Sequence, residues 1–263
     1  MDLDLKGRLA LVSGSTAGIG RAIAARLARE GARVIVNGRT QPAVDKAVAD
    51  LTEASGGAVA GFAGDLSVAS VADDLAARHP GVDILVNNLG IFEPKPFEDI
   101  PDSDWLRFFD VNVVSGVRLC RLYLPAMRRN NWGRIIFISS ESGLQIPAEM
   151  IHYGVTKTAQ IAVARGLAET VAGTGITVNS VLPGPTMSRG AEEFVDAMSR
   201  GSGKSVAEVE AEFFQKVRPT SLLRRFATPD EVAALVAYVA SPLASATTGA
   251  ALRVDGGVVK SAF

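Results

Sequence analysis

Short runs of β-branched residues alternate with longer stretches of helical period along most of the 263 residues, and that alternation leaves few architectures open. The candidate strands are residues 9–13, 33–37, 58–63, 84–87, 134–139, 177–182 and 251–254. Between them, 19–30, 44–54, 68–79, 105–129, 153–171 and 229–240 carry apolar residues at helical spacing. A strand, a helix and a second strand in this order form a crossover unit, which makes the strands parallel and puts helices on both faces. Seven such strands predict a doubly wound α/β fold with a seven-stranded parallel sheet. Gly31 follows the first helix, Asp102 or Ser103 is expected to cap the fourth, and Thr228 stands as a cap before the first-turn Pro229.

With 48% hydrophobic residues and no linker-like stretch, residues 1–263 read as one domain with a large core. The 27 basic residues balance 28 acidic ones, so charge gives no reason to expect nucleic acid or an anionic membrane as partner. The chain enters its first apolar run within a few residues of Met1, which leaves no room for a signal peptide, and no run reaches the ~20 apolar residues of a membrane span. A lone cysteine, Cys120, sits among apolar helical residues and reads as a buried thiol. A cytoplasmic, metal-free protein is expected.

One stretch breaks the rhythm. Residues 187–225 carry two amphipathic patterns, near 191–198 and 206–217, separated by the flexible Arg200-Gly-Ser-Gly-Lys204. An excursion at the carboxyl end of a strand lies where such sheets bind ligands, and it reads as a substrate lid. A surface insertion without a role is the alternative.

Immediately after the first strand, Ser13-Gly14-Ser15-Thr16-Ala17-Gly18-Ile19-Gly20 leads straight into a helix. Glycines there allow a tight turn and close approach of the backbone to a pyrophosphate at the positive helix end. The second strand ends at Asn37-Gly38-Arg39, where an NAD enzyme usually places a carboxylate for the ribose 2′-hydroxyl. Arg39 instead offers a planar fork to a 2′-phosphate, with Asn37 and Ser15 as additional donors, so NADP(H) is the expected cofactor and NAD the alternative. A solvated loop arginine would look the same. Asp65-Leu66, after the third strand, is placed to hold an adenine, and Asn87-Asn88-Leu89-Gly90, after the fourth, to pass close to the cofactor. Turn chemistry alone would also account for either.

Ser139-Ser140 closes the fifth strand, and Tyr153-Gly-Val-Thr-Lys157 opens the next helix. Residues four apart share a helical face, so phenol and ammonium are expected in one cleft. A free phenol titrates near 10 and a general acid works best near 7; a shift of about 3 units needs ~4 kcal/mol, which one cation in a partly dry site can supply. Ser140 is expected to hydrogen-bond the substrate oxygen. Asn112, polar in an apolar helical setting, is expected to hold a water that relays protons to Lys157. His152, beside the tyrosine, reads as structural rather than as an acid or base.

Taken together these motifs resemble the classical short-chain dehydrogenase/reductase family over essentially the whole chain. The glycine motif matches Gly14, Gly18 and Gly20, with Ser13 where threonine is usual; the Asn-Asn-Ala-Gly motif matches 87–90, with Leu89 replacing alanine. The resemblance implies a Rossmann-type fold, a catalytic tetrad of Asn112, Ser140, Tyr153 and Lys157, and nicotinamide contacts from Pro183-Gly184 and Thr186, with Ser188 as a further candidate. Many NADPH members carry a basic residue where this chain has Ala17, which leaves the 2′-phosphate reading on Arg39. It also implies a homotetramer.

The general look resembles bacterial 3-oxoacyl-carrier-protein reductases. Two positions where those enzymes hold the acidic carrier are the uncharged Asn131 and Thr174, although Arg128 and Arg129 are adjacent, so a free ketone, hydroxy-steroid, sugar or small secondary alcohol is as good a candidate substrate as a carrier-bound one. Phe92, Ser142, Gln145, Ile146, Met150 and Met187 would set the choice. An NAD-dependent alcohol or polyol dehydrogenase is the first rival, and a non-catalytic nucleotide-sensing protein on the same fold the second.

Overall fold

The computed structural model describes residues 2–262. The sheet is built from β1 (Leu9–Val12), β2 (Arg33–Gly38), β3 (Val59–Ala63), β4 (Ile84–Asn87), β5 (Gly133–Ile138), β6 (Ile176–Pro183) and β7 (Ala251–Val254). The helices are α1 (Gly18–Arg29), α2 (Gln41–Ser55), α3 (Ala69–Arg78), α4 (Asp102–Phe109), α5 (Ser115–Asn130), α6 (Ile151–Glu169), α7 (Arg189–Ser202), α8 (Val206–Lys216) and α9 (Pro229–Ala240). All strand pairs are parallel, in the order β3-β2-β1-β4-β5-β6-β7. The chain reverses direction across the sheet between β1 and β4, and a crevice at the carboxyl ends of strands on either side of such a point is where these sheets take ligands.

Both faces of the sheet are buried, and the side-chain period of two assigns each strand residue to one of them. Ala10, Val12, Val34, Val36, Ile84, Val86, Ile136 and Ile138 pack under α1 and α9; Leu11, Ile35, Leu85, Ile135 and Phe137 pack under α3, α5 and α6. Each fully buried aliphatic side chain contributes about 1.5–3 kcal/mol, so these two layers hold the sheet. Cys120 is buried in the second, as expected.

Element boundaries agree with the sequence reading to within three residues except in α7, and local structure departs from it at three places. The expected helix 105–129 is a longer stretch of α4 and α5 joined by a π-helical turn, Asp110–Val114, which contains Asn112. Neither Asp102 nor Ser103 caps α4: Pro101, in extended conformation, stands at the cap, and Asp102 and Asp104 lie inside the first turn, where a carboxylate meets the positive end of the helix. Thr228 does cap α9, in a reciprocal box with Glu231. The expected flexible break at 200–204 is shorter, because α7 runs to Ser202 and ends on Gly203 at φ +70°.

The α7–α8 excursion leaves and rejoins the body at adjacent points. Thr186 pairs with Ala227 in an isolated parallel bridge, with Met187 N donating to Ala227 O at 2.8 Å. Val195, Val209, Phe214 and Phe226 form a small apolar cluster there, separate from the two layers on the sheet.

Candidate active site

The glycine loop is held from beneath by side chains of neighbouring strand ends. Ser13 Oγ accepts from Asn88 N and Leu89 N, both at 3.0 Å, while Asn88 Nδ2 donates to Ser13 O and Gly14 O. Ser15 Oγ donates to Val12 O and accepts from Asn37 N; Asn37 Oδ1 accepts from Gly14 N, and its Nδ2 donates to Phe62 O and Gly64 O. Ser15 and Asn37 are both buried, so the two side chains expected to meet a phosphate serve as scaffold of the loop instead. Gly14 and Gly18 adopt φ of +59° and +56°, and a Cβ on Gly20 would stand 2.4 Å from Asn88 Nδ2 and 2.5 Å from Gly14 O. Close packing of backbone on backbone therefore requires glycine at position 20.

The loop delivers the start of α1 to the crevice. Ala17 offers no capping side chain and the first turn holds no acid, so its amides face the crevice uncapped, a fit for a pyrophosphate. Arg39 is exposed just beyond β2, forms no ion pair among the described residues, and has no carboxylate beside it in sequence. Thr16 packs on Gly38, where an added Cβ would meet its methyl at 2.5 Å. Asp65 is exposed, with Oδ1 accepting from Ser67 N and Ser67 Oγ. Leu66 was expected beside an adenine, but its side chain is fully buried in the sheet core, leaving only its backbone for such a contact.

Across the crevice the chain passes through Pro183 and Gly184, where a Cβ on Gly184 would stand 2.4 Å from Asp255 O. Thr186 Oγ1 donates to Gly184 O at 2.9 Å, and Ser188 Cβ lies 3.5 Å from the position a Cβ on Gly18 would take. A cavity of about 490 Å³ opens between the two sides and is lined by Ile19, Asn88, Gly90, Ser140, Tyr153, Lys157, Gly184 and Thr186 among others. Of the residues expected to set substrate choice, Phe92, Ser142 and Met150 line it, whereas Gln145, Ile146 and Met187 do not.

Tyr153 and Lys157 share one face of α6, with Nζ 5.5 Å from the centre of the phenol ring. Lys157 Nζ donates to Ile138 O at 3.0 Å and to Gln160 Oε1 at 3.1 Å, and Ser139 Oγ donates to Lys157 O at 2.8 Å. Burial pushes the Tyr153 phenol above its ordinary value, with the neighbouring Ser140 acting in the opposite sense, and burial pulls the Lys157 amine down to about 7. The expected acidified phenol is thus not found. Both groups are desolvated, the amine is tied to acceptors other than the phenol, and each is held toward its neutral form.

Ser140 also differs from expectation. Its hydroxyl donates to Glu141 Oε2 at 2.6 Å, Ser142 Oγ donates to the same oxygen at 2.5 Å, and Arg218 Nε donates to Glu141 Oε1 at 2.9 Å. Arg218, just beyond α8, reaches Glu149 as well. Asn112 has both ends of its side chain engaged: Oδ1 accepts from Ile91 N at 2.7 Å, and Nδ2 donates to Ile91 O and Thr156 Oγ1. The main-chain carbonyl of Asn112, where a water is expected, accepts from Gln160 Nε2 at 2.5 Å, which uses one of its two lone pairs and leaves the other open. His152 is buried between Trp105 and Phe108 and lies off the cavity wall, consistent with a structural part.

Glu141, Arg218 and Gln160 escaped the sequence reading. Gln160 carried a signal, because it continues the 153, 157 spacing by a further helical step. Arg218 carried none, since its partner lies 77 residues away in the chain.

The sequence profile described as enoyl-(acyl carrier protein) reductase matches residues 14–259. The Bacillus subtilis (strain 168) oxidoreductase YvaG is 48% identical, with all of both chains covered. A D-beta-hydroxybutyrate dehydrogenase of Cupriavidus necator is 35% identical over 97% of this chain and 99% of its own. The L-sorbose reductase of Gluconobacter frateurii, solved with NADPH and L-sorbose, superposes with a TM-score of 0.92 at 30% identity, covering 99% of this chain and all of that one. The chain belongs to the short-chain dehydrogenase/reductase family. As a short-chain dehydrogenase/reductase it is an oxidoreductase by family; Tyr153, Lys157 and Ser140 line its cavity, and Asn112 lies beside Gly90 next to Lys157.

Proposed function

We propose that the protein is an NADP(H)-dependent reductase of a free carbonyl compound, with Tyr153 as the group that gives the proton. The observation that carries this reading is the convergence of Tyr153, Lys157 and Ser140 on one cavity that opens beside the uncapped start of α1. Arg39, exposed at the end of β2 with no carboxylate next to it, supports the phosphorylated cofactor, as does the NADPH of the L-sorbose reductase structure. The amides of Thr16, Gly18 and Ile19 would hold the pyrophosphate, Asp65 and Leu66 N–H the adenine side, and Asn88, Leu89 and Gly90 with Pro183, Gly184 and Thr186 the nicotinamide side. Once bound, the nicotinamide supplies hydride to the carbonyl carbon.

The residues of the chain supply orientation and the proton. A phenol held above its ordinary value stays protonated at neutral pH, which suits it to donate to an oxygen that gains charge. Lys157, pulled to about 7, can gain and release a proton near neutrality and re-supply the phenol. Ser140 turns its hydrogen from Glu141 to the substrate oxygen, while Ser142 and Arg218 keep the Glu141 carboxylate satisfied. Residues 187–225 act as a lid on this reading, with the Thr186–Ala227 bridge joining its two ends and Arg218 fastening it to Glu141. Exposed Leu106 and Leu222 are consistent with burial against further subunits in the expected homotetramer, which light scattering tests.

A panel of ketones and secondary alcohols, assayed with NADPH and NADH, tests the function. Turnover of neutral ketones with NADPH is expected. In Arg39→Ala the preference for NADPH over NADH should fall about tenfold, the size of one charge-assisted contact at an exposed site. Unchanged KM values for both coenzymes would remove the cofactor argument.

A further inference from the structure

Lys157 and Gln160 sit a helical step apart on α6, and Gln160 is almost wholly buried. Its amide oxygen accepts from Lys157 Nζ at 3.1 Å, and its amide nitrogen donates to the main-chain carbonyl of Asn112 at 2.5 Å. That carbonyl belongs to the π-helical turn between α4 and α5, where the α ladder is interrupted. The two ends of an amide match their partners uniquely. An ammonium only donates and a carbonyl only accepts, so the oxygen must face Lys157 and the nitrogen Asn112.

We infer that Gln160 is a positioning residue for Lys157, a fixed amide bridge between its ammonium and the Asn112 carbonyl. The inference rests on the reading of Tyr153 and Lys157 given above. Two consequences follow from the chemistry of an amide. By accepting from the ammonium it favours the charged lysine and opposes the effect of burial. Unlike a water, an amide does not relay protons along a chain of hydrogen bonds, so the bridge holds Lys157 in place without itself carrying its proton.

The surroundings of Lys157 make this bridge its principal adjustable contact. Ile138 O is a main-chain acceptor on β5, Gly90 and Asn112 bring no charge, and Tyr153 is the titratable neighbour on α6 itself. Glu141 and Arg218, from the loop after β5 and the end of α8, act on the Tyr153 phenol. Loss of the Gln160 acceptor therefore moves Lys157 toward the neutral amine. Because the protonated lysine supports proton delivery, the alkaline limb of kcat for carbonyl reduction moves to lower pH.

The test uses Gln160→Leu and Gln160→Met in the full chain, the second nearly matching the length of glutamine so that packing is kept. In either variant the alkaline limb should shift down by about one pH unit, the size of a hydrogen bond to a charged group, with KM for the carbonyl unchanged. Titration of the Lys157 Nζ by nitrogen NMR should move in the same direction and needs no turnover. A wild-type limb and a wild-type Nζ titration in a folded variant would overturn the bridge. Tyr153→Phe keeps the two ideas apart: full activity there removes the reading of the site, while the Nζ titration still reports on Gln160.

Discussion

The wall of the cavity that carries Lys157 is held largely through main-chain carbonyls, whereas the wall formed by α7 and α8 is held by side chains. On the first, Lys157 donates to Ile138 O, Ser139 donates to Lys157 O and Gln160 donates to Asn112 O, all from residues at most 8% exposed. On the second, Arg218 ties α8 to Glu141 and Glu149, and Phe213 stacks on Phe226 at 5.0 Å within a cluster of its own. Main-chain acceptors are fixed by the sheet and by α6, and they persist whatever side chains surround them. Side-chain clasps change with single substitutions. The first wall is thus suited to chemistry that tolerates little movement, and the second to a choice of substrate.

The sharpest way to break this contrast is to remove the charge from the first wall. The fold gives up the Lys157 proton near pH 7, while the unfolded chain keeps it to about 10.4. Below about pH 7 the folded state carries the full cost of a buried ammonium; that cost fades as pH rises between the two values and is absent above both. Lys157→Met should therefore gain stability, on the order of 3 kcal/mol at about pH 6, with the gain shrinking steadily toward about pH 10, while turnover is lost. Urea melts across that range read it directly. A gain that grows with pH would contradict the assignment.

A smaller effect probes the second wall. Arg218→Lys keeps the charge but loses the fork that reaches Glu141 and Glu149 together. KM for the carbonyl should rise about fivefold, roughly 1 kcal/mol, with kcat little changed. A fall in kcat with KM unmoved would place Arg218 with the chemistry instead.

The same contrast explains what could be read from the sequence. The first wall rests on local patterns: strand ends, a helix start and a four-residue step between Tyr153 and Lys157, which periodicity exposes. The sheet was legible for the same reason, since most of the strands are largely apolar runs with a glycine within a few residues in sequence. The partners of those residues were not. Ser15 and Asn37 were expected to face a ligand, but only the pairing of β1, β2 and β3 reveals that they bind the loop to its neighbours. The π turn at 110–114 escaped because one added residue per turn barely disturbs helical spacing over five residues. The Glu141–Arg218 clasp depends on where a 39-residue excursion returns, which nothing local encodes.

The central claim is that the half-buried Tyr153 phenol delivers the proton when hydride reaches a carbonyl. Single-turnover oxidation of bound NADPH by a ketone substrate, followed through the absorbance of the reduced nicotinamide in wild type and Tyr153→Phe, tests it most directly. The account predicts a fall of about 10²–10⁴-fold in the rate of hydride transfer with NADPH affinity retained, the span that a general acid supplies. A Tyr153→Phe enzyme that transfers hydride at the wild-type rate would contradict it.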